Sequence, residues 1–162
     1  MEQAYNDILT IRNNVFTLTP VLVSFYSECK QKGNNLFLAM VILPLLFNEE
    51  WTEKKQNIRV DSKLPAWVMG NKFKIEGLPG RIDYFHDITI KCLQYAFDMK
   101  WLSISGTTIT FNKEKQEWAK SKFYKEQIDN ARNLNKLFKG MDVVEVLTIL
   151  GIKDIWKLES NI

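Results

Sequence analysis

His86 is the only histidine of the chain, so any mechanism that needs an imidazole must use this residue. It stands between Phe85 and Asp87, and no Gly-x-Ser-x-Gly or Cys-Gly signature provides a nucleophile that it could activate. One hypothesis is nevertheless a small enzyme that uses His86 and scattered carboxylates. We favour the alternative, a half-buried structural histidine, because a lone histidine in a helical pattern more often has that role.

Metal binding and phosphate binding have little support in the sequence. Cys29 and Cys92 are far apart, and the chain contains no C-x-x-C pair and no H-E-x-x-H motif. The stretch Gly77–Arg81 lacks the Lys-Ser/Thr pair of a phosphate-binding loop, and Glu49-Glu50 is typical of a solvated turn. We therefore expect no catalytic residue, no metal and no cofactor. Two widely spaced cysteines favour a reducing compartment, and one long-range disulfide between them is the alternative.

A basic stretch in the second half of the chain could contact a DNA backbone. The candidate residues are Lys113, Lys115, Lys120 and Lys122. Phosphate contacts need clustered positive charge on one face. Glutamates are interleaved with these lysines, which is the usual pattern of a solvated helix, and the net charge of the whole chain is only +3. We favour the solvated surface and keep DNA contact as the alternative.

Tryptophans near predicted loops or helix ends are candidate residues for a protein interface, because aromatic anchors are common there. These residues are Trp51, Trp67, Trp118 and Trp156. For at least half of them we expect ordinary packing in the core.

Helices dominate the predicted first half. Thr19-Pro20 predicts the start of the first helix, with Thr19 as the N-cap, and Gly33 predicts its end. Asn34-Asn35 is expected to cap a segment that is apolar on nearly every side up to Phe47, which predicts a central helix. Within that segment, Pro44 is expected to kink or end the helix near Ile42-Leu43.

The polar stretch from residue 48 to residue 63 predicts a loop, with a short helix beginning near Trp51-Thr52. A second short helix is predicted over Leu64–Met69, with Gly70-Asn71 after it. Pro79 then fits the first turn of a long helix that runs to about Met99.

A change of period follows the long helix. Residues 101–104 and 108–111 alternate β-branched and aromatic residues with polar ones around Ser105-Gly106-Thr107, which predicts a tight β-hairpin. A long helix followed directly by a hairpin is typical of a winged-helix module. Residues 113–140 predict two helices that separate near Asp129-Asn130. Asp142 predicts the cap of a last helix, Val143–Leu150.

Length and composition fit one domain. The chain has 162 residues, of which 46% are hydrophobic and 25% charged, with 7 Gly and 4 Pro, so we expect a folded, mainly α protein. We predict one domain over residues 1–162, with a helical part at about 1–75 and a part with the hairpin at about 76–162. The strongest apolar run, residues 36–47, is shorter than the roughly 20 residues of a membrane-spanning helix. No secretory signal is visible, so we expect a cytoplasmic protein that does not enter a membrane.

The order of these pieces resembles the middle component of bacterial three-component ABC systems, a group that includes the small subunit of Lamassu-type defence systems. The most distinctive resemblance is the run Val41–Phe47, which is similar to the family's V-x-L-P-L-L core. The other similar pieces, in chain order, are Tyr5-Asn6-Asp7, Phe25-Tyr26 through Gly33, Leu64-Pro65 with Trp67, Ala96-Phe97 before Trp101-Leu102, and Leu150-Gly151-Ile152.

The resemblance implies a non-catalytic adaptor. Such systems pair an ABC ATPase, which is SMC-like in the Lamassu case, with an effector that is often a nuclease. The middle component bridges the two, so that sensing of foreign DNA by the ATPase releases or activates the effector. The expected partners are thus an SMC-like ATPase dimer, a nuclease effector, and DNA indirectly through the complex. A free-standing winged-helix DNA-binding regulator is the alternative.

Overall fold

The computed structural model describes residues 14–47 and 58–154 of the chain. Helices dominate these residues, and a two-stranded antiparallel sheet lies in the second half, so the prediction of a mainly α fold with a small hairpin is confirmed. None of the described helices is both long enough and apolar enough to cross a membrane. The elements in chain order are α1 (Val15–Glu28), α2 (Leu36–Leu46), α3 (Leu64–Gly70), α4 (Lys72–Ile75), α5 (Leu78–Asp98), β1 (Leu102–Ser105), β2 (Thr108–Phe111), a 3-10 turn (Glu117–Lys120), α6 (Lys125–Leu137) and α7 (Val143–Ile149).

The first helix begins earlier than the sequence suggests, so the prediction of Thr19 as its N-cap is wrong. Asn14 is the N-cap, and its side-chain oxygen accepts a hydrogen bond from the Phe16 N–H at 2.8 Å. Thr19 instead lies inside the helix, where its hydroxyl donates to the Val15 carbonyl at 2.6 Å. The helix also ends at Glu28 and not at Gly33. Every residue from 17 to 26 is buried. This burial stabilises α1 enough for the helix to continue past Pro20, which lies inside it.

The central position predicted for the apolar helix is confirmed, because every residue of α2 is buried. Pro44 does not end it near Ile42-Leu43, since α2 continues to Leu46. Leu45 and Leu46 are both fully buried, and this burial favours continuing the helix despite the missing N–H of the proline. The Pro44 carbonyl accepts a hydrogen bond from Arg81 Nε at 3.0 Å.

Asn35 occupies the N-cap position of α2 as predicted, but its side chain makes no capping hydrogen bond. The side chain bonds to the hairpin instead, through the backbone of Ile109. The Leu36 N–H donates to the Thr107 carbonyl at 3.1 Å, so the first turn of α2 is joined to the hairpin turn. A tertiary partner has therefore replaced the local cap.

The long helix and the hairpin follow the prediction closely. The α5 helix carries Pro79 in its first turn, and β1 pairs with β2 so that Ile104 lies opposite Ile109. Gly106 has a φ of 60° in the hairpin turn, a conformation that glycine adopts without a steric penalty. The winged-helix interpretation of this pair of elements stays a prediction.

The break predicted near Asp129-Asn130 is wrong, because α6 passes through both residues without interruption. The chain breaks earlier, between the 3-10 turn and α6, where Tyr124 has a φ of 52°. Asn130 and Ala131 are buried, so packing holds the helix together at this point. The predicted cap of α7 is confirmed: Asp142 and Glu145 form a reciprocal capping box.

The core is formed where α1 packs against α5 and α6 and where α2 packs against α5. Buried apolar side chains form one cluster that extends from Leu18 to Ile152. Polar bonds reinforce the contact between α1 and α6: Ser24 Oγ donates to the Ile128 carbonyl at 2.6 Å, and Asn135 Nδ2 donates to the Phe25 carbonyl at 3.0 Å.

Candidate interaction surface

Asp87 is the only hydrogen-bond partner of the His86 side chain among the described residues, so no hydroxyl or thiol is bonded to this imidazole there. His86 is half-buried on α5, and its Nδ1 lies 3.1 Å from an Asp87 carboxylate oxygen that is itself exposed. The prediction of a half-buried histidine is therefore confirmed. No group of three or more potential metal ligands occurs within residues 14–47 and 58–154.

Both cysteines are free and shielded. Burial raises the pKa of the Cys92 thiol to about 11 and raises the pKa of the Cys29 thiol as well. A thiol that stays protonated at neutral pH is a poor nucleophile. Cys92 therefore behaves as a small apolar side chain of the core, and Cys29 packs partly buried against it.

The tryptophans predicted for an interface differ in position. Trp67 is half-buried on α3, with the Lys74 ammonium 5.9 Å from the centre of its ring. Trp118 is only 2% exposed and lies between the Phe111 ring and the Arg132 guanidinium, which is 5.5 Å from the ring centre. For Trp118 the structure favours the alternative of ordinary core packing. Trp51 and Trp156 lie outside the described residues.

The lysines predicted to contact DNA are all exposed, and they follow β2 directly: Lys113, Lys115, Lys120 and Lys122. Residues 113–125 contain five lysines and two glutamates, so this stretch carries a local positive charge. Its surface exposure is compatible with phosphate contact and equally with a solvated surface.

The helix before the hairpin has an acidic outer face. In a winged-helix module this helix would enter the major groove. The exposed charged residues of α5 are Asp83, Asp87, Lys91 and Asp98. Three carboxylates against one ammonium would repel the phosphates on both sides of the groove. This face therefore disfavours duplex recognition by α5.

The most exposed large apolar side chains lie close together in sequence, in and just before α3 and α4. Met69 is 74% exposed, Val60 72% and Phe73 71%. We call these three residues, together with half-buried Trp67, the short-helix surface. Apolar residues gathered on a small exposed segment mark candidate protein-binding sites.

Two anchors hold the short-helix surface on the core. Leu64, at the start of α3, is 1% exposed and packs into the apolar cluster. Arg81 at the start of α5 binds the end of α4, because its guanidinium donates to the Glu76 carbonyl at 2.8 Å and to the Lys74 carbonyl. The same guanidinium reaches the Pro44 carbonyl, so α2, α4 and α5 are joined at one side chain. The exposed residues are thus presented on a fixed support.

Neither Arg81 nor the exposed residues Val60, Met69 and Phe73 were identified from the sequence as site residues. The available signal in the sequence was that α3 is short and mostly apolar. In the structure only Leu64 of this helix is buried. An apolar segment that is too short to bury all its faces leaves some of them exposed.

A row of ring contacts lies at the C-terminal end of α2. Tyr84 meets Phe85 at 5.1 Å between ring centres, Phe85 meets Phe47 at 6.1 Å, and Phe47 meets Tyr124 at 5.0 Å. Tyr84 is 62% exposed and Phe123, next to Tyr124, is 58% exposed. The row connects α5, the end of α2 and the start of α6, and leaves an exposed aromatic side chain near each end.

The chain matches a known family. The family model described as ABC-three component (ABC-3C) system Middle Component 3 matches residues 3–154. Searches of curated proteins and of solved structures found no match for the chain.

Proposed function

Because the chain belongs to the Middle Component 3 family of ABC-three component systems, we propose that it is a non-catalytic adaptor in a bacterial defence complex against phages or plasmids. The adaptor acts in the cytoplasm as a single domain and bridges an ABC ATPase and an effector. In the finer form of the proposal, which rests on the resemblance to Lamassu-type systems, the ATPase is an SMC-like dimer and the effector a nuclease. The adaptor then helps hold the effector inactive until foreign DNA is sensed.

The observation that carries this proposal is the short-helix surface. An adaptor needs apolar surface that stays exposed while its own core is complete, because association is driven by burying such surface. Met69 and Phe73 meet this requirement on helices that Leu64 and Arg81 attach firmly to the core. We propose that they contact one of the two partners, with Trp67 at the edge of the contact.

The alternative function, a free-standing winged-helix DNA-binding regulator, is favoured by the exposed lysines after β2. The acidic outer face of α5 opposes it, because that helix would have to lie in the major groove. The adaptor is therefore the better supported function, and DNA contact by Lys113, Lys115, Lys120 and Lys122 is a secondary role that the complex could use.

Co-expression tests the adaptor proposal. The full chain is tagged and produced together with the ATPase and effector encoded beside it, and the purified material is weighed by mass photometry. We expect one complex that contains all three components. A chain that purifies as a lone monomer in the presence of both neighbours would contradict the proposal.

Duplex titration tests the alternative. Fluorescence anisotropy of a labelled duplex at low salt should show weak binding by the isolated chain. Tight binding with a sequence preference, abolished by Lys→Glu changes at 113, 115, 120 and 122, would instead favour the DNA-binding regulator.

A further inference from the structure

A cleft of about 400 Å³ lies between the segment that precedes α3 and the end of α6. Its accessible apolar lining comes from both sides: Val60 and Pro65 from the first segment, and Met141 from the second, while Leu64 and Leu137 lie buried beneath it. A volume of this size accommodates a few side chains but not a folded domain. The cleft therefore fits a short extended segment of another chain.

Positive charge surrounds this apolar lining. Lys63, Lys136 and Lys139 line the cleft, and Asp61 is its one acidic residue. Within the described part of the chain, none of these lysines has a carboxylate within ion-pair distance. The ammonium groups are thus available to a ligand of opposite charge, which gains attraction without first breaking an internal ion pair.

The cleft is continuous with the short-helix surface. Val60 belongs to both, and Leu64 forms the start of α3 as well as part of the lining. A partner that contacts Val60 therefore touches both the short-helix surface and the cleft.

We propose that this cleft binds an acidic, aliphatic linear segment of a protein partner, in which Asp or Glu alternates with Leu, Ile or Val. The aliphatic side chains pack against Val60, Pro65 and Met141, and the carboxylates face Lys63, Lys136 and Lys139. This inference rests on the proposed adaptor function in one respect: the partner that supplies the segment is a component of the same complex. A duplex is a poorer occupant, because phosphate contacts gain nothing from an apolar floor.

The test compares two triple variants of the full chain that change the net charge equally. The cleft variant carries Lys63→Glu, Lys136→Glu and Lys139→Glu, and the control carries Lys32→Glu, Lys91→Glu and Lys153→Glu, three exposed lysines outside the cleft. Each is titrated against the separately purified partner. We expect the cleft variant to bind about tenfold more weakly than the control, with a flatter dependence on salt. Equal affinity and equal salt dependence of the two variants would overturn the proposal.

Zero-length carbodiimide cross-linking of the wild-type complex gives a direct readout. We expect Lys63, Lys136 or Lys139 to be joined to Asp or Glu residues of a single partner segment. Cross-links only to partner carboxylates outside any acidic, aliphatic segment would overturn the proposal. A Lys→Gln version of the cleft variant, checked by thermal unfolding, separates loss of charge from loss of folding, because glutamine keeps much of the side-chain stem.

A peptide probe separates this inference from the adaptor proposal. If no complex forms, a fluorescein-labelled peptide of alternating Glu and Leu is titrated against the isolated chain. Binding that the cleft variant loses and the control keeps would support the cleft although the adaptor proposal had failed. Absent binding, equal binding by both variants, or duplex binding that only the cleft variant loses would each overturn the peptide as occupant.

Discussion

The side-chain amide of Asn35 bonds to both backbone polar groups of Ile109. Its Oδ1 accepts from the Ile109 N–H at 2.6 Å, and its Nδ2 donates to the Ile109 carbonyl at 2.9 Å. Asn35 is 3% exposed, so these bonds are sheltered from water. The Asn35 amide thus bonds to β2 in the way that a residue of an adjacent strand would. These bonds fix the hairpin against the start of α2.

Replacing Asn35 with Leu should destabilise the protein. The substitution leaves the N–H and the carbonyl of Ile109 without these partners, and an unsatisfied buried polar group costs about 1–3 kcal/mol. We expect the free energy of unfolding in urea to fall by about 3 kcal/mol. Asn133→Ala, at a half-buried position of α6, is the control and should change stability by less than about 0.5 kcal/mol. Equal stability of the two variants would show that the pairing with Ile109 is dispensable.

Arg81→Lys should loosen α4 without unfolding the core. The planar guanidinium reaches three carbonyls, those of Pro44, Lys74 and Glu76, and a lysine ammonium cannot reproduce that fork. We expect faster amide hydrogen exchange over residues 64–76 and a loss of about 1–2 kcal/mol in stability. Arg132→Lys, on α6, is the control and should leave the amide hydrogen exchange of residues 64–76 unchanged.

Changing Met69 and Phe73 to Ser should weaken the complex while leaving the isolated chain as stable as before. Both side chains are more than two-thirds exposed, so their removal leaves no cavity. Interface anchors typically cost about 1–2 kcal/mol each when truncated, which predicts a loss of affinity of about tenfold or more. Val144→Ser, at a position of α7 that is 54% exposed, is the matched control. Unchanged affinity of the double variant in calorimetry would exclude this surface from the contact.

Stability should fall at alkaline pH. Burial raises the pKa of the Cys92 thiol from 9.0 to about 11, and burial also raises the pKa of the Tyr26 phenol well above 10.0. A raised folded-state pKa contributes stability that is complete below the unfolded pKa and is lost as the pH rises through the folded value. For Cys92 the loss begins near pH 9 and reaches roughly 2–3 kcal/mol above pH 11.

Urea titrations between pH 8 and pH 11 measure this effect. Cys92→Ala should lower stability at neutral pH, because it removes a buried atom, but should also reduce the slope of stability against pH. In that variant the raised pKa of the Tyr26 phenol still makes stability fall with pH, so part of the slope remains. An identical slope in the wild-type chain and in Cys92→Ala would contradict the assignment to this thiol.

Local signals correctly predicted several elements. Asp142 as the cap of α7, the glycine of the hairpin turn and Pro79 at the start of α5 each act within a few residues of the chain. The uninterrupted apolar run of α2 likewise predicted its central place, since a helix that is apolar on every side must be enclosed. Such features are recognisable in the sequence because the energy that they contribute is local.

Other features depended on contacts between distant residues. Thr19 resembled an N-cap and Pro44 a helix end, yet both lie inside helices whose burial outweighs the local preference. Trp118 resembled an interface anchor but is enclosed by Phe111 and Arg132. The periodicity of residues 113–140 gave no indication that the break lies before α6.

The sequence by itself determined a mainly α protein with one hairpin, and it carried the resemblance to a middle component. The tertiary structure decided which apolar residues remain exposed, that Arg81 joins three elements, and that Asn35 serves the hairpin and not its own helix. The physical reason is that helix period and capping are properties of neighbouring residues. Exposure and long-range hydrogen bonds depend instead on how the finished elements cover one another.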